Sequence, residues 1–81
     1  MRTQEKIIVD ILRTARTNST KTRIVYSTNL NFKVFKKYAE HLLVHGLLQK
    51  IENKFKTTEK GLRFIEHHRE LELLLTMNGE S

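Results

Sequence analysis

Apolar residues recur with helical periodicity in the middle of the chain. Over residues 31–45 they are spaced by three or four positions and define one apolar face, formed by Phe32, Phe35, Ala39, Leu42 and Leu43. Asn31 is a suitable N-cap, and Gly46 suits the left-handed conformation that closes a helix. Lys33 and Lys37 lie on the opposite face. The pattern therefore predicts a helix that buries one face and exposes a basic one.

The N-terminal residues predict another helix, over residues 2–16, with Thr3 as its cap. Its apolar stripe consists of Ile7, Ile8, Ile11, Leu12 and Ala15. Val9 lies off this stripe, so we expect it to be exposed or to touch a partner. A polar break at residues 17–19 follows the helix.

Residues 20–28 carry contradictory signals. Their β-branched and aromatic side chains favour a strand by propensity. The segment is short, however, and it directly precedes the next helix. We predict a short helix that is capped by Ser19 or Thr20 and turns Ile24 inward. With a tight connection at residues 28–30, these two helices have the outline of a helix-turn-helix.

The periodicity changes after the central helix. Residues 47–52 are predicted to form a strand, residues 53–54 a turn and residues 55–57 a returning strand. This hairpin carries three lysines: Lys50, Lys54 and Lys56. A basic hairpin directly after a basic helix is what a winged helix requires, because the wing reaches phosphates or a minor groove while the helix occupies the major groove.

The last helix is predicted to begin after Thr58, a suitable cap, and Gly61 within it would permit close approach to the wing. Two apolar stripes run along nearly opposite sides of this helix. One consists of Leu62, Ile65 and Leu73, and the other of Phe64, Leu71 and Leu75 with His68 between. A helix that is apolar on two sides needs two neighbours. We predict that the first stripe covers the domain's own core and that the second, including His68, forms a homodimer interface.

The charge is concentrated around the predicted helix-turn-helix. The formal net charge is +6 and the sequence pI is about 9.9, which is typical of nucleic-acid-binding domains. Residues 11–58 contain ten Lys and Arg against two Glu, whereas residues 59–81 are net acidic. A generic basic surface without a nucleic-acid partner is the alternative explanation.

The predicted partner is double-stranded DNA. In a helix-turn-helix, the N-terminal part of the second helix approaches base edges and the surrounding lysines contact phosphates. The predicted DNA-binding residues are Lys21 and Arg23 at the start of the first of these helices, Asn31, Lys33, Val34, Lys36 and Lys37 in the second, and Lys50, Lys54 and Lys56 on the wing. Since lysine dominates and bidentate base reading favours other residue types, we expect largely sequence-tolerant, electrostatic binding.

The sequence contains no motif for metal binding or catalysis. There is no cysteine, and the four histidines do not form a recognisable metal site. No glycine-rich phosphate loop or activated nucleophile occurs, so we expect no cofactor, no small-molecule ligand and no enzymatic activity. No apolar run approaches the roughly 18 residues of a membrane span, and the polar N-terminus does not resemble a signal peptide.

These features predict one α+β, mainly helical domain with a winged helix-turn-helix fold: three helices, a short β-hairpin wing and a C-terminal dimerisation helix. The expected divisions are residues 1–58 for the winged helix-turn-helix, 59–77 for the C-terminal helix and 78–81 for a loose tail.

Several segments together resemble a known family. They are residues 21–26 (K-T-R-I-V-Y), residues 29–32 (N-L-N-F), Tyr38, Leu42, Gly46, Leu47 and residues 58–61 (T-E-K-G). Over residues 5–70 the chain resembles the archaeal winged helix-turn-helix family that includes the small dimeric chromatin proteins of Sulfolobus. The resemblance implies a cytoplasmic, nucleoid-associated DNA-binding protein that dimerises through its C-terminal helix. Because the last helix is too short for the long coiled coil of the Sulfolobus members, we expect a more compact dimer.

Three functions compete on this basis. The leading one is a dimeric DNA-binding protein, either a transcriptional regulator or a chromatin component. The second is a winged-helix protein-interaction module whose basic face meets an acidic protein and has no direct DNA role. RNA binding is the third, but most of the six aromatic residues occupy predicted core positions, so few remain for base stacking.

Overall fold

The structure, a computed structural model, describes the backbone of residues 2–79 and the side chains of residues 2–76. This part of the chain forms four helices and three strands. In chain order these are α1 (Gln4–Thr14), β1 (Ser19–Thr20), α2 (Lys21–Thr28), α3 (Phe32–Val44), β2 (Leu48–Ile51), β3 (Lys54–Thr57) and α4 (Glu59–Gly79). The strands form one antiparallel sheet with β3 between β1 and β2. The predicted α+β, mainly helical winged fold is confirmed.

The helices begin where the local sequence provides caps. The side chains of Thr3, Thr20, Asn31 and Thr58 each accept a hydrogen bond from the backbone N–H three residues further on, at 2.8 to 3.2 Å. Thr20, and not Ser19, is therefore the cap of α2. Each cap of this kind stabilises its helix by about 1 kcal/mol.

Ser19 instead begins β1, a strand that the local pattern does not predict. It lies opposite Phe55 of β3 in the antiparallel register. The Ser19 side chain is buried, and its hydroxyl donates a hydrogen bond to the carbonyl of Thr17 at 2.6 Å. The predicted polar break at residues 17–19 thus ends in a strand. The local pattern does not predict this strand, because its pairing partner lies far along the chain.

The core joins α1, α2, α3, the sheet and the first half of α4. Its buried residues are Ile11, Leu12, Ala15, Ile24, Val25, Phe35, Ala39, Leu42, Leu48, Phe55 and Ile65. Val9 is also fully buried, so the expectation that it is exposed or touches a partner is wrong. The reason is that α1 packs against both α2 and α4, which buries a wider surface than one stripe.

The wing is fixed against α3 by aromatic packing. The rings of Phe35 on α3 and Phe55 on β3 meet edge to face, with centroids 5.5 Å apart and planes at 84°. Both side chains are buried, so this contact sets the distance between the helix and the hairpin.

The first half of α4 packs on the core through Ile65, as predicted, but the rest of its buried face differs from the predicted stripe. Gly61 and Ile65 are buried, Phe64 packs against the core, and the His68 side chain is 12% exposed. These positions share one helix face by their spacing. Leu62 is 44% exposed, so its assignment to the core-facing stripe is wrong. Phe64 and His68, predicted for a dimer interface, therefore lie against their own domain.

The second half of α4 extends beyond the core and reaches Gly79. Residues 78–79, expected to belong to a loose tail, continue the helix, and the rest of that predicted tail lies outside the described residues. Among the described residues, no helix combines the length and the apolarity needed to cross a lipid bilayer.

Candidate nucleic-acid interface

The lysines of α3 are exposed and face two different surfaces. Lys33 and Lys36 border a groove between α3 and the sheet, whereas Lys37 borders a recess on the side of α1. Val34, predicted to reach a DNA groove, is half-buried. The side-chain oxygen of Asn31 accepts a hydrogen bond from the Val34 amide at 2.8 Å, so that oxygen is engaged in capping.

The groove between α3 and the sheet has a volume of about 610 Å³ and is called the basic groove below. Its margins carry four lysines from α2, α3 and β2, namely Lys21, Lys33, Lys36 and Lys50. Its apolar lining consists of Phe32, Phe35, Ala39, Leu43 and Phe55. Glu40 is the one carboxylate among the lining residues. Four of the predicted DNA-binding residues are thus brought together around one depression.

The lysines of the basic groove keep their charge available to a partner. None of them forms a salt bridge among residues 2–76. By contrast, Arg2 and Lys6 both pair with Asp10, at 2.9 and 3.5 Å. The four lysines therefore give the groove uncompensated positive charge, which would attract phosphates.

Two of these lysines are held over aromatic rings. Lys21 Nζ lies 5.6 Å from the ring centroid of Phe32, and Lys50 Nζ lies 5.5 Å from that of Phe55. Such cation–π contacts orient the ammonium groups without neutralising them. Phe32 was predicted to belong to the buried face of its helix, yet it is 46% exposed. It is the first residue of α3, and its ring borders the groove.

The three wing lysines lie on two faces of the sheet. Lys50 lies opposite buried Phe55 in the antiparallel register, so it shares the face that turns towards α3. Lys54 and Lys56 lie on the other face, opposite Ile51 and Gln49 respectively. The sequence pattern does not distinguish the three lysines, but of the three only Lys50 lines the basic groove.

The wing turn consists of Glu52 and Asn53, whereas the sequence predicted it at residues 53–54. Lys54 is the first residue of β3. The left-handed residue of the turn is Glu52, with φ of +57°, and not Asn53. A carboxylate therefore stands at the wing tip, which lowers the positive charge there.

The start of α2 continues the basic surface. Lys21 borders the basic groove, and Arg23, two residues later on the same helix, is exposed. A smaller recess of about 300 Å³ runs from Lys21 past Lys50 to Asn53 at the wing tip. The first turn of α2 and the wing thus line one continuous recess.

The junction of α3, the wing and α4 is held by the T-E-K-G segment. The hydroxyl of Thr58 donates to the carbonyl of Gly46 at 2.6 Å, and Lys60 Nζ donates to that of His45 at 2.8 Å. Gly61 lies so close to Leu47 that a Cβ atom there would collide with the Leu47 carbonyl oxygen. The predicted close approach at Gly61 is confirmed. Sequence reasoning missed the hydrogen bond of Lys60, because its acceptor lies at the end of another helix.

The histidines provide no metal centre among the described residues. His41 and His45 stack with parallel rings whose centroids are 6.4 Å apart, and both are exposed. No group of three or more His, Asp or Glu that could hold a metal ion occurs within the described part of the chain.

The fold and this surface define a winged helix protein with a basic helix-turn-helix. The family model described as winged helix-turn-helix matches residues 1–76, and the chain belongs to that family. A relative from Methanocaldococcus jannaschii, an uncharacterized protein, is 38% identical over 61 residues, which are 74% of this chain. The matched region spans 63% of that relative's length.

A solved structure shows the same architecture. The crystal structure of Sso10a-2, a DNA-binding protein from Sulfolobus solfataricus, superposes with a TM-score of 0.80 at 28% sequence identity. The match covers 98% of this chain and 92% of that one, so little of the neighbour lacks an equivalent here. The chain therefore belongs to an archaeal winged helix-turn-helix family that is related to Sso10a.

Proposed function

We propose that this protein binds double-stranded DNA, with α3 in the major groove and the wing on the backbone or in the minor groove. The observation that carries the proposal is the convergence of Lys21, Lys33, Lys36 and Lys50 from three elements around the first half of α3. The DNA-binding activity of the structural neighbour Sso10a-2 supports it. Arg23, Lys37, Lys54 and Lys56 extend the proposed contact area to the flanking phosphates.

The arrangement suits a duplex better than an acidic protein. Phosphates are regularly spaced along DNA, and the lysines are distributed over α2, α3 and the wing, as a duplex lying along α3 requires. Arginine, asparagine and glutamine, whose planar side chains read base edges with two hydrogen bonds, are absent from α3. Binding is therefore proposed to be mainly electrostatic.

Salt dependence of duplex binding tests this proposal. If the four groove lysines each neutralise one phosphate, log K should fall with log salt concentration with a slope of about −4 per protomer, and contacts by the four flanking cations would make it steeper. Fluorescence anisotropy of a labelled duplex between about 50 and 200 mM salt, a range over which such contacts are weakened strongly, measures the slope. Single-stranded RNA of the same length is the competitor and should displace duplex poorly. Absence of duplex binding at low salt would refute the proposal and favour the protein-interaction module.

A sequence-tolerant interface favours a nucleoid-associated, architectural role in the cytoplasm over that of a single-operator regulator. Lysines at the start of α3 act as point charges on phosphates and discriminate weakly between bases. Genome-wide occupancy separates the two roles, since broad coverage indicates a chromatin component and a few sharp sites indicate a regulator.

We further propose that the second half of α4 forms a homodimer. The positions 61, 64, 68, 71 and 75 follow the alternating three- and four-residue spacing of a coiled-coil seam. The first three pack within the domain, but Leu71 and Leu75 on the same seam are 43% and 68% exposed. A second copy would cover them and continue the packing that the core begins.

Charge placed on this seam should abolish the dimer. Leu71→Glu together with Leu75→Glu is expected to raise the dimer dissociation constant at least about 100-fold, because two apolar anchors become buried charges. Sedimentation velocity at micromolar concentration measures the shift from dimer to monomer. Leu73→Glu is the matched control, since Leu73 is 56% exposed but lies off the seam, and it should remain dimeric. A double variant that stays dimeric would place the interface elsewhere.

A further inference from the structure

Phe32 is an aromatic side chain that lies outside the buried core. It is 46% exposed, whereas Phe35, on the same helix, is 1% exposed. Its ring borders the basic groove, and Lys21 lies over it. Water therefore covers about half of a large apolar group at the centre of the proposed DNA-binding surface, where a partner would bury it.

The other groups near Phe32 discriminate poorly between bases. The side-chain oxygen of Asn31 is engaged with the amide of Val34. Lys33 and Lys36 are flexible point charges that suit phosphates. In the major groove, the apolar feature that distinguishes one base pair from another is the C5-methyl group of thymine, and phenylalanine is among the residues that contact it.

We propose that Phe32 binds the C5-methyl group of a pyrimidine in the major groove, and that this contact adds a preference for thymine to a binding surface that is otherwise sequence-tolerant. The proposal rests on the DNA-binding function proposed above. The same contact accepts 5-methylcytosine, because its methyl group projects from the same ring position. Lys21 Nζ lies over the Phe32 ring, 5.6 Å from its centroid, so a positive charge stands beside the proposed methyl contact.

Paired duplexes that differ only in this methyl group test the proposal. One AT-rich duplex contains thymine and its partner contains deoxyuridine, which lacks the C5-methyl group. The wild-type protein should bind the thymine duplex about fourfold more tightly, the effect of burying one methyl group. Phe32→Ala should bind both duplexes with equal affinity. A cytosine duplex and its 5-methylcytosine counterpart should show the same pattern.

Tyr26→Ala is the matched control, because Tyr26 is a 77% exposed aromatic residue on α2 that lies outside the lining of the basic groove. It should keep the fourfold preference. Circular dichroism of Phe32→Ala and of Phe32→Leu verifies folding, and the leucine variant should keep part of the preference. An equal ratio of affinities in the wild type and in Phe32→Ala would overturn the methyl contact while leaving DNA binding intact. Failure of the wild type to bind any duplex would instead overturn the proposed function.

Discussion

Reversing the charge of Lys33 and Lys37 is expected to weaken duplex binding by about 100-fold or more at 0.1 M salt, a loss that corresponds to roughly 3 kcal/mol. Both lysines are exposed on the helix that is proposed to enter the major groove. Each Lys→Glu change removes a phosphate contact and adds repulsion from the same phosphate. The slope of log K against log salt concentration should also become shallower by about 2 units. Anisotropy titrations of one labelled duplex at several salt concentrations give both quantities.

The matched control carries the same change in net charge at another place. Arg63→Glu with Arg69→Glu alters two cations of α4 that are 70% and 66% exposed and lie outside the proposed interface. Their ion pairs with neighbouring glutamates are solvent-exposed and contribute little to stability. This variant should lose far less affinity, through long-range electrostatics alone. Equal losses in both double variants would show that net charge, and not α3, determines binding.

Gly61→Ala is expected to destabilise the protein by about 2 kcal/mol, although alanine is the better helix former by about 1 kcal/mol. The added methyl group would collide with the backbone carbonyl of Leu47 and with the side-chain methyl of Thr57. A backbone carbonyl between α3 and the wing cannot move aside without shifting the hairpin. Thermal unfolding followed by circular dichroism should show a Tm lower by roughly 10 °C.

His67→Ala tests whether the effect is local to Gly61. His67 is exposed on the same helix, so its replacement should change Tm by no more than a few degrees. All variants are compared at one protein concentration, because self-association would make Tm concentration-dependent. A Gly61→Ala protein as stable as the wild type would show that α4 is not packed as closely on the junction as the structure describes.

The composition of the candidate interface could be predicted from the sequence, but its arrangement could not. Exposed lysines after a capped helix start are visible as a pattern, and Lys33, Lys36 and Lys37 are exposed as expected. The division of the wing lysines depends on strand register. A shift of one residue would exchange Lys50 with its neighbours between the two faces of the sheet.

The sequence by itself determined most helix starts, the helix-turn-helix outline and the presence of the wing. These features depend on groups within about four residues of one another, such as a cap and the amide N–H whose hydrogen bond it accepts, or an apolar face with helical spacing. For this reason the caps at Thr3, Asn31 and Thr58 were predictable without a structure.

Tertiary structure alone decided the features that join distant parts of the chain. β1 exists because Ser19 pairs with Phe55, and Val9 is buried because α1 has helices on two sides. Phe35 and Phe55 are buried against each other, whereas Phe32 stays exposed at the groove. Each outcome depends on which surfaces meet, and local periodicity carries no information about that choice.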